Sequence, residues 1–418
     1  MIPAKVRPVE AVVVPDERGG RSLMLRDTEG IAPDAVLIPA SLAPVVARFD
    51  GRCSAAEIAA SAGRATGRRI EPGVVVRLAE ELEASWMLDS PRFRARRAQV
   101  VRDFMTSPVR SPSHAGGAYH GDAARLGRFI DAECLAKARP RPNGAGPRRV
   151  RGRLVAICAP HMDLWRAAEG YGHAYQELSR ALADGSKGVD TFIVLGTSHA
   201  RMRRPFAVCD KTFATPLGVL EPDVEAIREL SSRSRFDVLE DAYNHKGEHS
   251  IEFQVVFLKH LLGDRPARIV PVLCGLGDAQ ATGRDPTEDD DAESFLRALS
   301  RLVARRGDRV FVVAGADLAH VGPRFGDAGP LDAAARRRLA ERDRASIDRA
   351  IERDEHGFFE HAVEDLDTRR VCGVGPIYAM LRAIPRAATG EVLNYAQCVD
   401  PEEGSIVSHA SLGFYAAL

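Results

Sequence analysis

Two stretches, Leu154-Val155-Ala156-Ile157-Cys158-Ala159-Pro160-His161 and Thr191-Phe192-Ile193-Val194-Leu195-Gly196-Thr197-Ser198-His199, decide how this chain is read. Each is an apolar run that ends in a histidine, and a segment of helical character separates them. Val/Ile/Leu runs of this length, bounded by turn residues, read as parallel strands covered on both faces. Both histidines then stand just past a strand's carboxyl end. In open α/β sheets that edge lines the ligand crevice.

Two further runs extend the sheet. Arg268-Ile269-Val270-Pro271-Val272-Leu273-Cys274-Gly275 is one, and the segment from Asp308 through Val313 to His320 is the other, delivering Asp317 and His320 immediately after its strand. A single strand-end histidine is compatible with a hydrogen-bonded structural residue. Four ligand-type groups at one edge point to a metal or acid–base site. In His245-Lys246-Gly247-Glu248-His249-Ser250-Ile251-Glu252, a helix starting near Gly247 puts Glu248 and Glu252 on one face, with His249 beside them. The order is not HExxH, so zinc-protease chemistry is not indicated. Two readings stand there: a capped helix with solvated carboxylates, or a supporting or proton-transfer role for His249 and Glu252. Cys372 precedes a glycine-rich loop and an apolar helix from Tyr378 to Ile384, and a thiol at a helix amino terminus is expected to ionise easily.

The length of 418 residues favours two domains, and 45% hydrophobic with 28% charged residues is ordinary globular composition. Lys+Arg and Asp+Glu are both 58, which gives no argument for nucleic acid or an anionic membrane as partner. No apolar run approaches the roughly 20 residues of a membrane span, and Met1 to Arg7 lacks a signal-peptide core. A soluble cytoplasmic protein is the expectation. The seven cysteines are scattered and form no CxxC pair, which argues against a disulfide framework or a zinc ribbon. Cys158 and Cys274, inside strand-like runs, read as buried apolar residues.

Toward the amino terminus, short β-like runs (Ala11 to Val14, Ser22 to Leu25) flank the turn from Asp16 to Gly20. Ser54 with Glu57 three residues later is a capping box, and Val75, Leu78 and Leu82 mark a helix over about 74–85. The pattern from Phe49-Asp50-Gly51 through Glu57-Ile58, followed by Trp86-Met87-Leu88-Asp89, resembles the PqqD-like winged-helix domain over residues 1–95. That resemblance implies a module that holds a leader peptide or a partner, often a radical-SAM enzyme; the other reading is an unspecialised helical cap on the larger domain. Residues 96–106 read as a linker helix whose arginines form a solvated face, and the segment from Pro140 to Arg149 as an exposed connection.

From residue 107 to 418 the motifs Ser113-His114-Ala115-Gly116-Gly117-Ala118-Tyr119, Ala159-Pro160-His161, Gly196-Thr197-Ser198-His199, Thr215-Pro216-Leu217-Gly218, Glu248-His249-Ser250-Ile251-Glu252, Asp317-Leu318-Ala319-His320 and Cys372-Gly373 occur in an order that resembles the Memo family. Its bacterial and archaeal members are called AmmeMemoRadiSam system protein B. Asn394 to Gln397 and Ser405 to Ser408 look like that family's last strands. The resemblance implies a mixed, mainly parallel α/β sheet with helices on both faces, similar to class III extradiol dioxygenases. It also implies a metal held by His161, His199 and Cys372, with Asp317 and His320 as a neighbouring pocket pair. Non-haem Fe(II) is the metal so implied, with copper and zinc as competitors. Departures are Met162-Asp163-Leu164-Trp165 after the first ligand, a single histidine followed by Ala200 after the second strand, and no aromatic residue beside the Asp/His pair.

The expectation is therefore a dioxygenase-like oxidoreductase acting on a small molecule or peptide, with His320 or His249 moving protons and Asp317 orienting one of them. The alternative is a non-catalytic metal- or peptide-binding module that recruits a radical-SAM partner. A metal-free hydrolase with Cys372 as nucleophile and His320 as base stands third.

Overall fold

Alternate residues of the central strands enter two different apolar cores, which is why their sequences are apolar throughout. Ile193, Leu195, Val312 and Ala314 face one core with the helices Asp290–Arg306 and Val374–Ala383. Phe192, Val194, Phe311 and Val313 face the other with Leu164–Asp184 and His249–Leu262. A sheet covered on both sides has no polar face to show in its sequence.

The structure is a computed structural model and describes residues 4–16, 19–27, 29–138, 152–184 and 188–417. The stretch from Pro140 to Arg149 lies outside them. The chain divides into two units, Met1–Ser107 and Pro108–Leu418.

The first unit pairs β1 (Glu10–Pro15), β2 (Arg21–Arg26) and β3 (Val36–Pro39) in an antiparallel sheet. The helices Ala55–Thr66, Pro72–Ala84 and Pro91–Thr106 follow. The Ser54/Glu57 capping box is formed as expected, and Gly67, at φ +65°, ends that helix in the left-handed conformation that favours glycine. Ile58, Val75, Leu78 and Leu82 join Leu25 and Ile38 in the core of this unit.

The second unit contains β4 (Val109–Arg110), β5 (Arg153–Ala159), β6 (Thr191–Thr197), β7 (Phe206–Val208), β8 (Thr212–Thr215), β9 (Gly218–Pro222), β10 (Arg268–Cys274), β11 (Val310–Gly315), β12 (Asp317–Val321), β13 (Thr389–Val399) and β14 (Ile406–Ala416). The sheet order is β12-β14-β5-β11-β6-β10-β9-β8-β4, with β13 on β14 and β7 on β10. The block β5-β11-β6-β10 is parallel, so the carboxyl ends of β5 and β6 reach one edge and His161 and His199 follow there. Asp317 and His320 differ from expectation in one respect. They do not sit in a loop after β11, because the chain re-enters the sheet at once as β12, antiparallel to β14, with an irregularity between them.

Two glycines let a helix rest on that edge. A Cβ at Gly196 would lie 2.5 Å from Ser250 Oγ, and one at Gly315 would lie 2.5 Å from the Ser250 carbonyl oxygen. The first turn of His249–Leu262 therefore sits directly on the ends of β6 and β11. Among the described residues no helix is long and apolar enough to cross a membrane.

Candidate metal centre

His161 is buried at the end of β5. Its Nδ1 lies 3.0 Å from the Gly315 carbonyl oxygen. A carbonyl can only accept, so Nδ1 carries the hydrogen and Nε2 is left as the acceptor nitrogen. His199, at the end of β6, is fixed in the same way: its Nδ1 is 3.0 Å from Glu248 Oε1, and its backbone N–H donates to Oε2 at 2.9 Å. The Sγ of Cys372 is 3.1 Å from His161 Nε2. The Cys372 loop is tied to the site at both sides, because Thr197 Oγ1 donates to the Cys372 carbonyl at 2.8 Å and the Gly373 N–H donates to the Asp317 carbonyl at 3.0 Å.

One donor atom each from His161, His199 and Cys372 lie within 4.8 Å of one another. Two imidazoles with Nδ1 committed to an acceptor and Nε2 open, beside a thiol, form a donor set that suits iron, copper or zinc. The residues present fit such an ion. His199, Glu248 and His249 form a second group within the same distance. The Glu248 oxygens, however, already accept from His199 N, His199 Nδ1, His249 N and Ser250 N. Glu248 is thus the cap of the helix and the holder of His199, a residue that the sequence reading left without a role.

Charge follows from this packing. Burial pushes the Glu248 carboxyl up, but the His199 and His249 charges and the His199 hydrogen bond outweigh it and hold it well below the usual carboxylate range. Desolvation pulls His199 down, and Glu248 more than reverses it, so His199 protonates more easily than an ordinary histidine. Burial lowers His161, and it brings His249 down to about 3 with help from the neighbouring imidazoles. Cys372 contradicts the expectation of an easily ionised thiol. The helix starts at Val374, earlier than the expected Tyr378 and closer to the cysteine, yet burial together with the Asp317 charge pushes the thiol well above its ordinary value. It stays protonated until something replaces the proton.

The ring of His249 stacks on His199 at 4.6 Å and meets His161 edge-on at 5.5 Å, so the structure brings it to the donor cluster. Glu252 serves differently. Neither it nor Glu248 is solvated: they are 1% and 6% exposed. Glu252 accepts from Arg110 Nη1, from Ser113 N and Oγ at 3.0 and 2.8 Å, from His114 N at 3.0 Å and from Tyr119 OH. It staples the 110–119 segment to the helix and has no oxygen free for proton transfer. Arg110 was hidden in Pro108-Val109-Arg110-Ser111-Pro112, which reads as punctuation; only its fold partners reveal it.

Asp317 is buried, and its Oδ1 accepts the His161 N–H at 3.0 Å. His320 is half-buried, its Nδ1 3.1 Å from the Leu318 carbonyl, and burial lowers its pKa against the pull of Asp317. Contrary to the sequence reading, an aromatic ring does accompany this pair: Phe325 meets His320 edge-on at 5.1 Å. His409, which no motif singled out, is buried opposite Asp317 in the β12/β14 register. The charge of Asp163, which follows His161 by two residues, is matched by Arg166 at 2.5 Å. All seven cysteines are free, with Cys158 and Cys274 buried in β5 and β10 as expected.

A family model described as Memo-like protein matches residues 110–413. A MEMO1 family protein of Aquifex aeolicus is 27% identical over 95% of this chain and 96% of its own length. A MEMO1 family protein of Methanosarcina barkeri is 30% identical over 63% of this chain and 87% of its own. The crystal structure of an uncharacterized protein from Escherichia coli K12 overlays 62% of this chain and 99% of its own, with 15% identity and a TM-score of 0.36. Since the matched residues run from Arg110, which holds Glu252, to beyond β12, Cys372 and most of β14, nearly the whole second unit is accounted for, and the chain belongs to the Memo-like family.

Proposed function

We propose that the second unit is a mononuclear metalloprotein with oxidoreductase activity of the dioxygenase type, acting on a small molecule or a peptide. His161 Nε2, His199 Nε2 and Cys372 Sγ would hold the ion, and iron is the metal we assign, ahead of copper and zinc. The observation that carries the reading is the pair of histidines whose Nδ1 atoms are committed to Gly315 and Glu248, with His161 Nε2 3.1 Å from the Cys372 thiol and one donor atom of each of the three residues within 4.8 Å of the others. Ferrous iron bound there would supply Lewis acidity and the capacity to reduce O₂. Three protein donors leave coordination positions for exogenous molecules. Class III extradiol dioxygenases use a carboxylate where this chain has a thiol, so its reaction need not be ring cleavage.

The chain's own groups then have distinct tasks. His249, stacked on His199 beside the proposed ligands, is assigned as one proton carrier. His320, oriented by the Leu318 carbonyl, is the second proton carrier. Asp317 orients the backbone of His161 and balances the charge of the cluster. The test is metal content of anaerobically purified protein. About one iron per chain, lost in His161→Ala and in Cys372→Ser, supports the reading. Failure of the wild type to take up Fe(II), Cu(I) or Zn(II) overturns it.

For the first unit we propose a peptide- or partner-holding role of the winged-helix type, with a radical-SAM enzyme as the class of partner. Its strand β3 pairs with β2 on one side, stands at the end of the three-strand sheet and carries Leu37 at 63% exposure, the kind of edge an extended peptide adds to. Leu37→Asp should then weaken capture of such a partner while leaving metal content intact.

A further inference from the structure

A polar cluster with no part in the chemistry above lies behind the strand that carries Asp317 and His320. Asp343, on the helix Ala333–Ile351, is completely buried. Its Oδ1 accepts from Arg369 Nη1 at 3.0 Å. Its Oδ2 accepts from Ser408 Oγ at 2.6 Å and from Tyr395 OH at 2.9 Å. Arg369 is 3% exposed, and its Nη2 donates to Ser346 Oγ at 3.0 Å and to the His361 carbonyl at 2.7 Å. A buried ion pair is a poor device for stability alone, because desolvation consumes most of its attraction. What the pair touches suggests another use.

One arm reaches the thiol. Arg369 lies three residues before Cys372, its carbonyl accepts the His320 N–H at 2.7 Å, and Gly373 N bonds the Asp317 carbonyl at 3.0 Å. The backbone of this loop is strained, with Asp367 at φ +56° and Arg370 at φ +50°. Such conformations persist only where the surroundings hold them. The other arm reaches the strand. Ser408 Oγ, while donating to Asp343, accepts the Ala319 N–H at 3.0 Å, inside the irregular part of β12 between Asp317 and His320.

We propose that Asp343 is a positioning residue: its two carboxylate oxygens hold the Cys372 loop through Arg369 and the Asp317/His320 strand through Ser408, and so set the place of the thiol against that pair. In its metal aspect the assignment rests on the proposed ligand role of Cys372, whereas the reactivity of the thiol reports on it independently.

The test compares Ser408→Ala, which cuts the strand arm and leaves the ion pair, with Asp343→Asn and with Tyr395→Phe, which removes a bond to the same oxygen from β13. Ser408→Thr is the conservative rescue. In metal-free full-length protein, alkylation by iodoacetamide is followed at each cysteine by peptide mass spectrometry, with Cys158 and Cys274 as internal references. Loss of one buried hydrogen bond should speed reaction at Cys372 about fivefold in Ser408→Ala, with the references unchanged and Ser408→Thr and Tyr395→Phe near wild type. With Co(II) added, the thiolate-to-metal absorption band should shift in Ser408→Ala. Unchanged Cys372 reactivity in folded Ser408→Ala overturns the proposal, as does acceleration of all three cysteines together. Should Asp343→Asn fail to fold, Ser408→Ala alone decides. If Cys372 responds selectively but wild type gives no Co(II) band, positioning stands and the metal reading falls.

Discussion

Nδ1 of His199 lies 3.0 Å from Oε1 of Glu248, and the same carboxylate caps the helix through His249 N and Ser250 N. Orientation of a proposed ligand and capping of a helix's first turn thus depend on one side chain. Glu248→Gln keeps the shape but loses the charge that favours the Nδ1–H form. Metal affinity should drop about 10–100-fold with all three ligands in place. Competition with a calibrated chelator measures this, and wild-type affinity in the variant would refute it.

Metal uptake should depend steeply on pH. Cys372 must exchange its proton for the ion, and its pKa in the metal-free chain is raised. Affinity therefore rises about tenfold per pH unit above neutrality. His199, whose pKa is also raised, has a second proton to lose at lower pH, so the dependence steepens there. Zn(II) titrations at several pH values, with released protons counted in weak buffer, would show a flat profile if no thiolate were involved.

Glu252 predicts an acid-sensitive stability difference. Burial raises its pKa, but Arg110 and the hydrogen bonds from His114 and Tyr119 hold it far below the usual range. A depressed folded-state pKa gives stability that is complete above the unfolded value, about 4.3, and is lost as pH falls below it. Glu252→Gln should cost about 3 kcal/mol at pH 7 by leaving Arg110 buried and unpaired. Denaturant melts should show that gap narrowing once the pH drops under about 4.

His320→Ala should separate proton handling from ligation. Its Nδ1 is bound to the Leu318 carbonyl, and it is not among the three grouped donors. Metal content should remain near wild type while oxygen-dependent turnover falls about 10²-fold or more. Loss of the metal would make His320 a ligand and revise the site.

Much of this was legible because each strand is apolar along its whole length and ends abruptly in a chemical group. His161 and His199 announce themselves that way. The antiparallel return of β12 was not legible. Ala316 is a single apolar residue between two extended segments, and nothing local marks a change of direction. Arg110, Asp343 and His409 escaped for another reason. Their meaning comes from partners 142, 65 and 92 positions away: Glu252, Ser408 and Asp317. Glu248 and Glu252 looked like solvated charges because an amphipathic face and a buried polar staple have the same spacing along a helix.

The bare strand ends at Gly196 and Gly315 have an architectural consequence. The platform carrying Glu248 and His249 lies on main chain, with no side-chain cushion beneath it. One added methyl at either glycine must lift it. Gly315→Ala should accordingly cost about 1–3 kcal/mol and carry His249 away from the ligand cluster. The spacing of the imidazoles is built into the two places where the chain has the least to show.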